Sequence, residues 1–179
     1  MATTPTRLMT FAEFEQIPDD PRGWRQELRH GEVITLAPPK HDHYLLQYRL
    51  RNLLENASSA GVASTEMGFR PRPDHEFWFA DVAWIRRERW DQIPRNGNIE
   101  GAPDLVVEVL SPSNTAAEML DKEQTCLENG AGEFWVVDID RLQVKVSTPD
   151  GHTITYKSGQ QIPLFFAPGS HLAVDAIFE

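Results

Sequence analysis

PDLVVEVLSPSN, residues 103–114, is the stretch whose reading decides the fold. Leu105 to Leu110 has the apolar, β-branched character of a strand covered on both faces, with Pro103 ahead of it and Ser111-Pro112-Ser113 behind. One carboxylate, Glu108, interrupts that run. An isolated buried carboxylate is costly to desolvate, so it persists only when paired, hydrogen-bonded or bound to a metal. No basic residue stands near it in sequence.

Upstream, EFWFADVAWIR (residues 76–86) reads as a second strand, again with a single acid, Asp81, inside an apolar run. Downstream, Ser113, Asn114 or Thr115 can cap a helix that ends near Gly130, and GEFWVVDI (residues 132–139) is a third strand of the buried type. Hairpins flank this centre. WRQEL and EVITLA enclose Arg29-His30-Gly31, while RLQVKVS and HTITYK are joined through Pro149-Asp150-Gly151. Two further helices are expected. Thr10-Phe11-Ala12-Glu13 has the form of a capping box for a helix from Phe11 to about Gln16, which Pro18 and Pro21 end. Leu46, Leu50, Leu53, Leu54 and Ala57 mark a longer one from His43, with Asp42 as its N-cap and Gly61 as its stop. The pattern predicts an α/β domain with a mixed β-sheet core flanked by helices, plus additional β-hairpins. Repeats, low-complexity tracts and linkers are absent, so residues 1–179 read as one domain.

Bulk composition narrows the function. The chain has 179 residues, 40% apolar and 25% charged, ordinary values for a soluble globular protein. Its 17 basic against 27 acidic residues give −10, which disfavours passive adhesion to nucleic acid. Arg70, Arg72, Arg86, Arg87 and Arg89 are the best local supply of positive charge. A single cysteine, Cys126, excludes an intramolecular disulfide and any multi-cysteine zinc site. No apolar run approaches the roughly 18 residues of a membrane span, and MATTPTRLMT lacks the apolar segment of a secretory signal. A soluble, cytoplasmic protein is the expectation.

The strand period of two sets Asp104, Val106, Glu108 and Leu110 on one face, and places Asp81 with Phe79 and Ala83. For Asp104, at a strand entrance, satisfying a loop is the bland account. For Glu108 and Asp81 it is a buried salt bridge. Lys122 is the natural cationic partner. It lies well off the centre of the helical stripe Ala116, Met119, Leu120, Glu123 and Leu127, and an exposed i, i+4 pair with Glu118 would account for it as well. Two acids on adjacent strands plus a lysine are also the equipment for metal-assisted phosphodiester hydrolysis. Hard Mg²⁺ prefers oxygen ligands, and a lysine can orient the water or stabilise the pentacovalent oxygens. His41-Asp42-His43 offers too few ligands for zinc, and no glycine-rich phosphate loop or nucleophile elbow is present.

PDLVVEVLSPSN, followed by Lys122 and GAGEFWVVD, resembles the Uma-two family of restriction endonucleases on the PD-(D/E)XK nuclease fold. RQELRHGEVITLAPP, EFWFADVAWI and PLFFAPGSHLAVDAIF extend the resemblance over nearly the whole chain. It implies a restriction-endonuclease-like domain that cuts DNA with Mg²⁺ or Mn²⁺, as a homodimer. Asp81 then corresponds to the first metal-binding acid, Glu108 to the acid of the (D/E)XK half-motif, and Asp104 to an acid at the strand entrance, the three together being the implied metal ligands. The usual lysine two places after the acid is replaced by Leu110, and its role passes to Lys122 on the following helix. Glu27 matches the early glutamate of such sites and His43 a family histidine, for which capping the core is the alternative role. Glu118 stands where the family commonly has Asp, and Cys126 where it commonly has Tyr. A catalytically silent binding module of the same fold, or a nuclease acting on RNA or on particular nucleic-acid structures, are the rival readings.

Overall fold

The computed structural model describes residues 7–112 and 114–179. The N-terminal part of MATTPTRLMT and Ser113, one of the three candidate caps, lie outside the described residues; Thr115, another of the three, is the observed N-cap.

A Thr10 capping box opens α1 (Phe11–Phe14), with the Thr10 hydroxyl accepting from the Glu13 N–H and Glu13 accepting from the Thr10 N–H. β1 (Arg25–Arg29) and β2 (Glu32–Leu36) form the expected hairpin. Its turn residues His30 and Gly31 both take positive φ, 50° and 74°, as a two-residue type I′ turn requires. α2 spans His41–Ala57. Its N-cap is Lys40, which makes no side-chain cap bond, and Asp42 lies instead within the first turn, where its charge suits the helix dipole. Gly61 is not the helix stop. It opens β3 (Gly61–Arg70), where a Cβ would collide with the Trp84 ring. This ten-residue strand escapes sequence reading because Ser64, Thr65 and Glu66 break its alternation.

β4 (Trp78–Arg86) leads into α3 (Arg87–Trp90) and β5 (Ile99–Glu100). β6 (Leu105–Val109), α4 (Ala116–Glu128) and β7 (Glu133–Asp138) follow. β8 (Gln143–Ser147) and β9 (Thr153–Lys157) form the late hairpin, then β10 (Gln161–Pro163) pairs with β11 (His171–Ala173) before α5 (Val174–Phe178). Among the described residues seven strands make one mixed sheet in the order β5-β3-β4-β6-β7-β8-β9. β6 and β7 are parallel neighbours, which demands a crossover, and α4 supplies it. Every residue of β6 and β7 is buried, as two covered faces require.

Helices cover both faces. Leu46, Leu50 and Leu54 of α2 pack with Val82, Trp84, Val107, Trp135 and Ile177 on one side. On the other, Cys126 packs with Phe69, Trp78, Ala83, Val106 and Phe134. α4 buries Lys122, Glu123, Thr125 and Cys126, while Leu120 is 61% exposed. Its inward face is thus rotated from the Ala116–Leu127 stripe expected from apolar spacing, and Lys122 points inward. No helix among the described residues is long and apolar enough to cross a membrane.

Leu50 is fully buried at the centre of the α2 interface and Leu45 is 44% exposed on the opposite face. Leu50→Ala should cost about 2–5 kcal/mol in urea denaturation through lost burial and the cavity left behind. Leu45→Ala should change stability by less than about 0.5 kcal/mol. Equal losses at the two positions would contradict this packing.

Candidate active site

The candidate site is built where two strands stop pairing. β4 and β6 are in register at Trp84–Leu105, Ala83–Val106 and Val82–Val107, so the next row would join Asp81 to Glu108. There the backbones separate and the two side chains take over the backbone bonds. The Asp81 carboxylate accepts the Val109 N–H at 2.8 Å, and Glu108 Oε1 lies 3.4 Å from the Asp81 nitrogen. Each acid thus replaces a carbonyl of the interrupted ladder.

Lys122 enters from α4. Its Nζ is 2.8 Å from Glu108 Oε1 and donates to the Phe79 carbonyl at 2.7 Å. It makes no exposed pair with Glu118, which is occupied in the Thr115 capping box. His43 enters from α2, with Nε2 3.0 Å from the Val109 carbonyl and 3.4 Å from Asp81 Oδ2. A carbonyl can only accept, so Nε2 carries a proton, and the buried Nδ1 has no partner. Glu27 arrives on β1, fully buried. It accepts the Phe79 N–H at 3.2 Å and lies 3.3 Å from Arg25 and 2.7 Å from Arg29.

The structure therefore gathers Asp81, Glu108, Lys122, His43 and Glu27 around the β4–β6 gap. It does not bring Asp104 to them. Asp104 accepts the Arg86 N–H at 3.0 Å and pairs with Arg86 at 2.7 Å and Arg89 at 3.3 Å, at the opposite end of β6. Glu108 is four residue steps further along the chain, about 13 Å at the usual strand rise. Asp104, expected as a ligand beside Asp81 and Glu108, is thus set apart from them, and its bonds are those of a strand-entrance acid.

Two members of the cluster were not legible as such. Gln47, fully buried on α2, donates from Nε2 to Asp81 Oδ1 at 2.9 Å and to Glu66 Oε1 at 2.7 Å. Its position one turn after His43, in the stripe that carries Leu46 and Leu50, was the available signal. Glu66 takes φ 51° and pairs with Arg25. Nothing in the sequence announces that backbone.

Burial pushes the Glu108 carboxyl up to about 7, with Lys122 pulling it back and Asp81 pushing it further. Burial also acts to raise Asp81, but the His43 hydrogen bond and charge, with Lys122, hold it below the usual carboxylate range. Burial opposes the charge on Lys122, yet Glu108, Glu27 and Asp81 together hold its pKa above the ordinary value. The site is a buried cation set among acids, with one carboxyl poised near neutrality.

No group of three or more His, Cys, Asp or Glu side chains among the described residues is arranged to hold a metal ion as it stands. A closed zinc-type site is built from such a group. Mg²⁺ asks for less, commonly one or two carboxylates completed by water and phosphate oxygens. Asp81 and Glu108, on neighbouring strands at the gap, supply two carboxylates of that kind. A separate cleft of ≈ 830 Å³ lies between α1 and the 91–100 connection, lined in part by Phe11, Arg70 and Asn98, and contains none of these residues.

Set against protein-family profiles, residues 11–175 match Uma2, described as "Putative restriction endonuclease". Among solved structures, the chain is similar to one described as a putative nuclease belonging to DUF820 from Anabaena variabilis. The TM-score is 0.81 at 22% sequence identity, covering 95% of this chain and 97% of that one. At that identity the likeness is one of fold, and it agrees with the mixed α/β architecture expected from the sequence. No curated protein sequence matches the chain.

Because the Glu108 pKa is raised from 4.5 to about 7, the folded protein holds a proton that the unfolded chain has lost between those values. Its contribution to stability is therefore full at acid pH and is lost as pH rises through about 7. A carbon-13 titration of the Glu108 carboxyl should show a midpoint near that value, moved upward in Lys122→Met and downward in Asp81→Asn. Melting of Glu108→Gln relative to the parent should improve from pH 5 toward pH 8, the sign expected from linkage. A midpoint in the ordinary glutamate range would refute this electrostatic account.

Proposed function

The chain belongs to the Uma2 family, and from that premise we propose that it is a metal-dependent endonuclease hydrolysing DNA phosphodiester bonds. The observation that carries the reading is the buried triad of Asp81, Glu108 and Lys122, drawn from two adjacent strands and a helix to one break in the sheet. Asp81 and Glu108 would hold Mg²⁺ or Mn²⁺. When bound, such an ion lowers the pKa of a water and neutralises charge on the reacting phosphate.

The chain's own residues prepare the rest. Lys122 is held as a cation by its acidic neighbours and supplies positive charge to the non-bridging oxygens as the pentacovalent state forms. In the (D/E)XK arrangement that charge comes from the strand, where this chain has Leu110; here the helix delivers it. His43 ties Asp81 to the Val109 carbonyl and so sets the position of the first acid. Glu27 fixes the Phe79 amide while Lys122 takes the Phe79 carbonyl, so both sides of that peptide are anchored. Residues 1–179 act as one cytoplasmic domain in this reading, and a homodimer would present two sites to a duplex, as two-fold assemblies do. Sedimentation showing only monomer at micromolar concentration would remove the dimer.

One observation favours a silent binding module instead. Asp81 accepts bonds from Gln47 and Val109 and lies beside His43, so its oxygens are already engaged by the protein. Nicking of supercoiled plasmid with Mg²⁺ and with Mn²⁺ decides between them. The parent should nick, and Lys122→Met should lose about 10²-fold or more in turnover while binding Mn²⁺ at least as well, since a positive charge has left a cation site. Asp81→Asn and Glu108→Gln should each weaken Mn²⁺ binding with the fold retained. Activity surviving in Lys122→Met would exclude the lysine mechanism, and a parent that never nicks would leave the silent module.

A further inference from the structure

The row that contains Asp81 and Glu108 continues across a third strand. β3 pairs Thr65 with Val82 and Met67 with Ala80, so the residue across from Asp81 is Glu66, and pairing is interrupted there as well. Glu66, Asp81 and Glu108 therefore occupy one row over β3, β4 and β6. At φ 51°, Glu66 lies in the left-handed region, uncommon for a residue with a side chain.

Between the first two acids sits the Gln47 amide. Its Nε2 is 2.7 Å from Glu66 Oε1 and 2.9 Å from Asp81 Oδ1, so two carboxylates converge on one donor group. The side chain is fully buried, and its own Oε1 has no partner. A buried acceptor without a donor costs free energy, and here that cost accompanies the amide's service to the two acids. The oxygen and nitrogen of a glutamine amide differ little in shape but are opposite in hydrogen bonding. Rotating the amide would present Oε1 to Asp81 and Glu66, which is favourable only with a cation among the three.

We propose that the Gln47 amide holds the place of a divalent cation, and that Glu66 and, after rotation, Gln47 Oε1 join Asp81 as its oxygen ligands. The inference rests on the reading of Asp81 as a metal-binding acid. Oxygen donors alone select a hard ion such as Mg²⁺ or Mn²⁺. Arg25 neutralises Glu66 in the ion-free state and also pairs with Glu27 at 3.3 Å, so it keeps a partner when Glu66 turns to the ion.

Mn²⁺ binding to the full chain, by calorimetry and by electron paramagnetic resonance, tests this together with melting temperatures with and without Mn²⁺. Glu66→Gln should keep its circular dichroism spectrum and lose roughly 10- to 100-fold in Mn²⁺ affinity. Gln47→Glu exchanges the donor for an oxygen, so it should melt lower without the ion and show a larger Mn²⁺-induced rise than the parent. If Glu66→Gln fails to fold, the Gln47→Glu comparison decides alone. Parent-like affinity in a folded Glu66→Gln, or a rise in Gln47→Glu no larger than the parent's, overturns the proposal. Should Asp81→Asn lose Mn²⁺ under that outcome, the endonuclease reading stands without it; should Asp81→Asn bind as the parent does, both fall.

Discussion

Carboxylates acting as substitutes for backbone carbonyls at the end of the β4–β6 ladder are the constraint on which the rest of the site depends. A sheet that loses a rung must satisfy the amides it exposes, because an unpaired buried N–H costs as much as a lost hydrogen bond. Asp81 takes the Val109 amide, and Glu108 approaches the amide of Asp81. Those bonds bring two negative charges into the interior, and the charges in turn require compensation. Lys122 supplies it at 2.8 Å, while His43 lies beside Asp81 Oδ2 and Gln47 donates to the other oxygen, Oδ1. The order of cause runs from a backbone defect to a charge cluster, and removing one partner of such a cluster is far costlier than the pair is stabilising.

The central architecture was legible because its signals are local. Glu108 and Asp81 stand out as single acids within apolar strands, and the spacing of β6, α4 and β7 leaves a parallel crossover as the natural connection. What escaped depended on distant partners. β3 carries polar residues in mid-strand because Glu66 turns toward α2, a choice made by Gln47 and Arg25 rather than by neighbours in sequence. The inward turn of Lys122 could not be read from the stripe of α4, since the apolar residue Leu120 is on the outside and the charged one within. Asp104 and Glu108 share a strand, and alternation alone cannot say that one belongs to the arginines of the β4–α3 junction and the other to the break.

The distribution of charge bears on how a polyanion could approach. Of the five arginines from 70 to 89, Arg70 stacks over Phe11, Arg72 lies near Glu128, and Arg86 and Arg89 hold Asp104. Arg87 donates to the Gly61 carbonyl. These side chains brace the fold more than they present a basic face. With a net charge of −10, the chain as a whole repels a polyanion at long range, and that repulsion weakens as salt screens the field.

Cys126, fully buried one turn after Lys122 on the same face of α4, has a thiol that burial pushes well above its ordinary range. Thiolates, not thiols, react with alkylating reagents and oxidants, so in the closed fold this sulfur is chemically silent. An excursion that lifted α4 from the sheet would uncover it and carry Lys122 away from Glu108. The solitary cysteine would then serve as a gauge of local opening, its rate of modification tracking those excursions of α4 that also withdraw the lysine from the cluster.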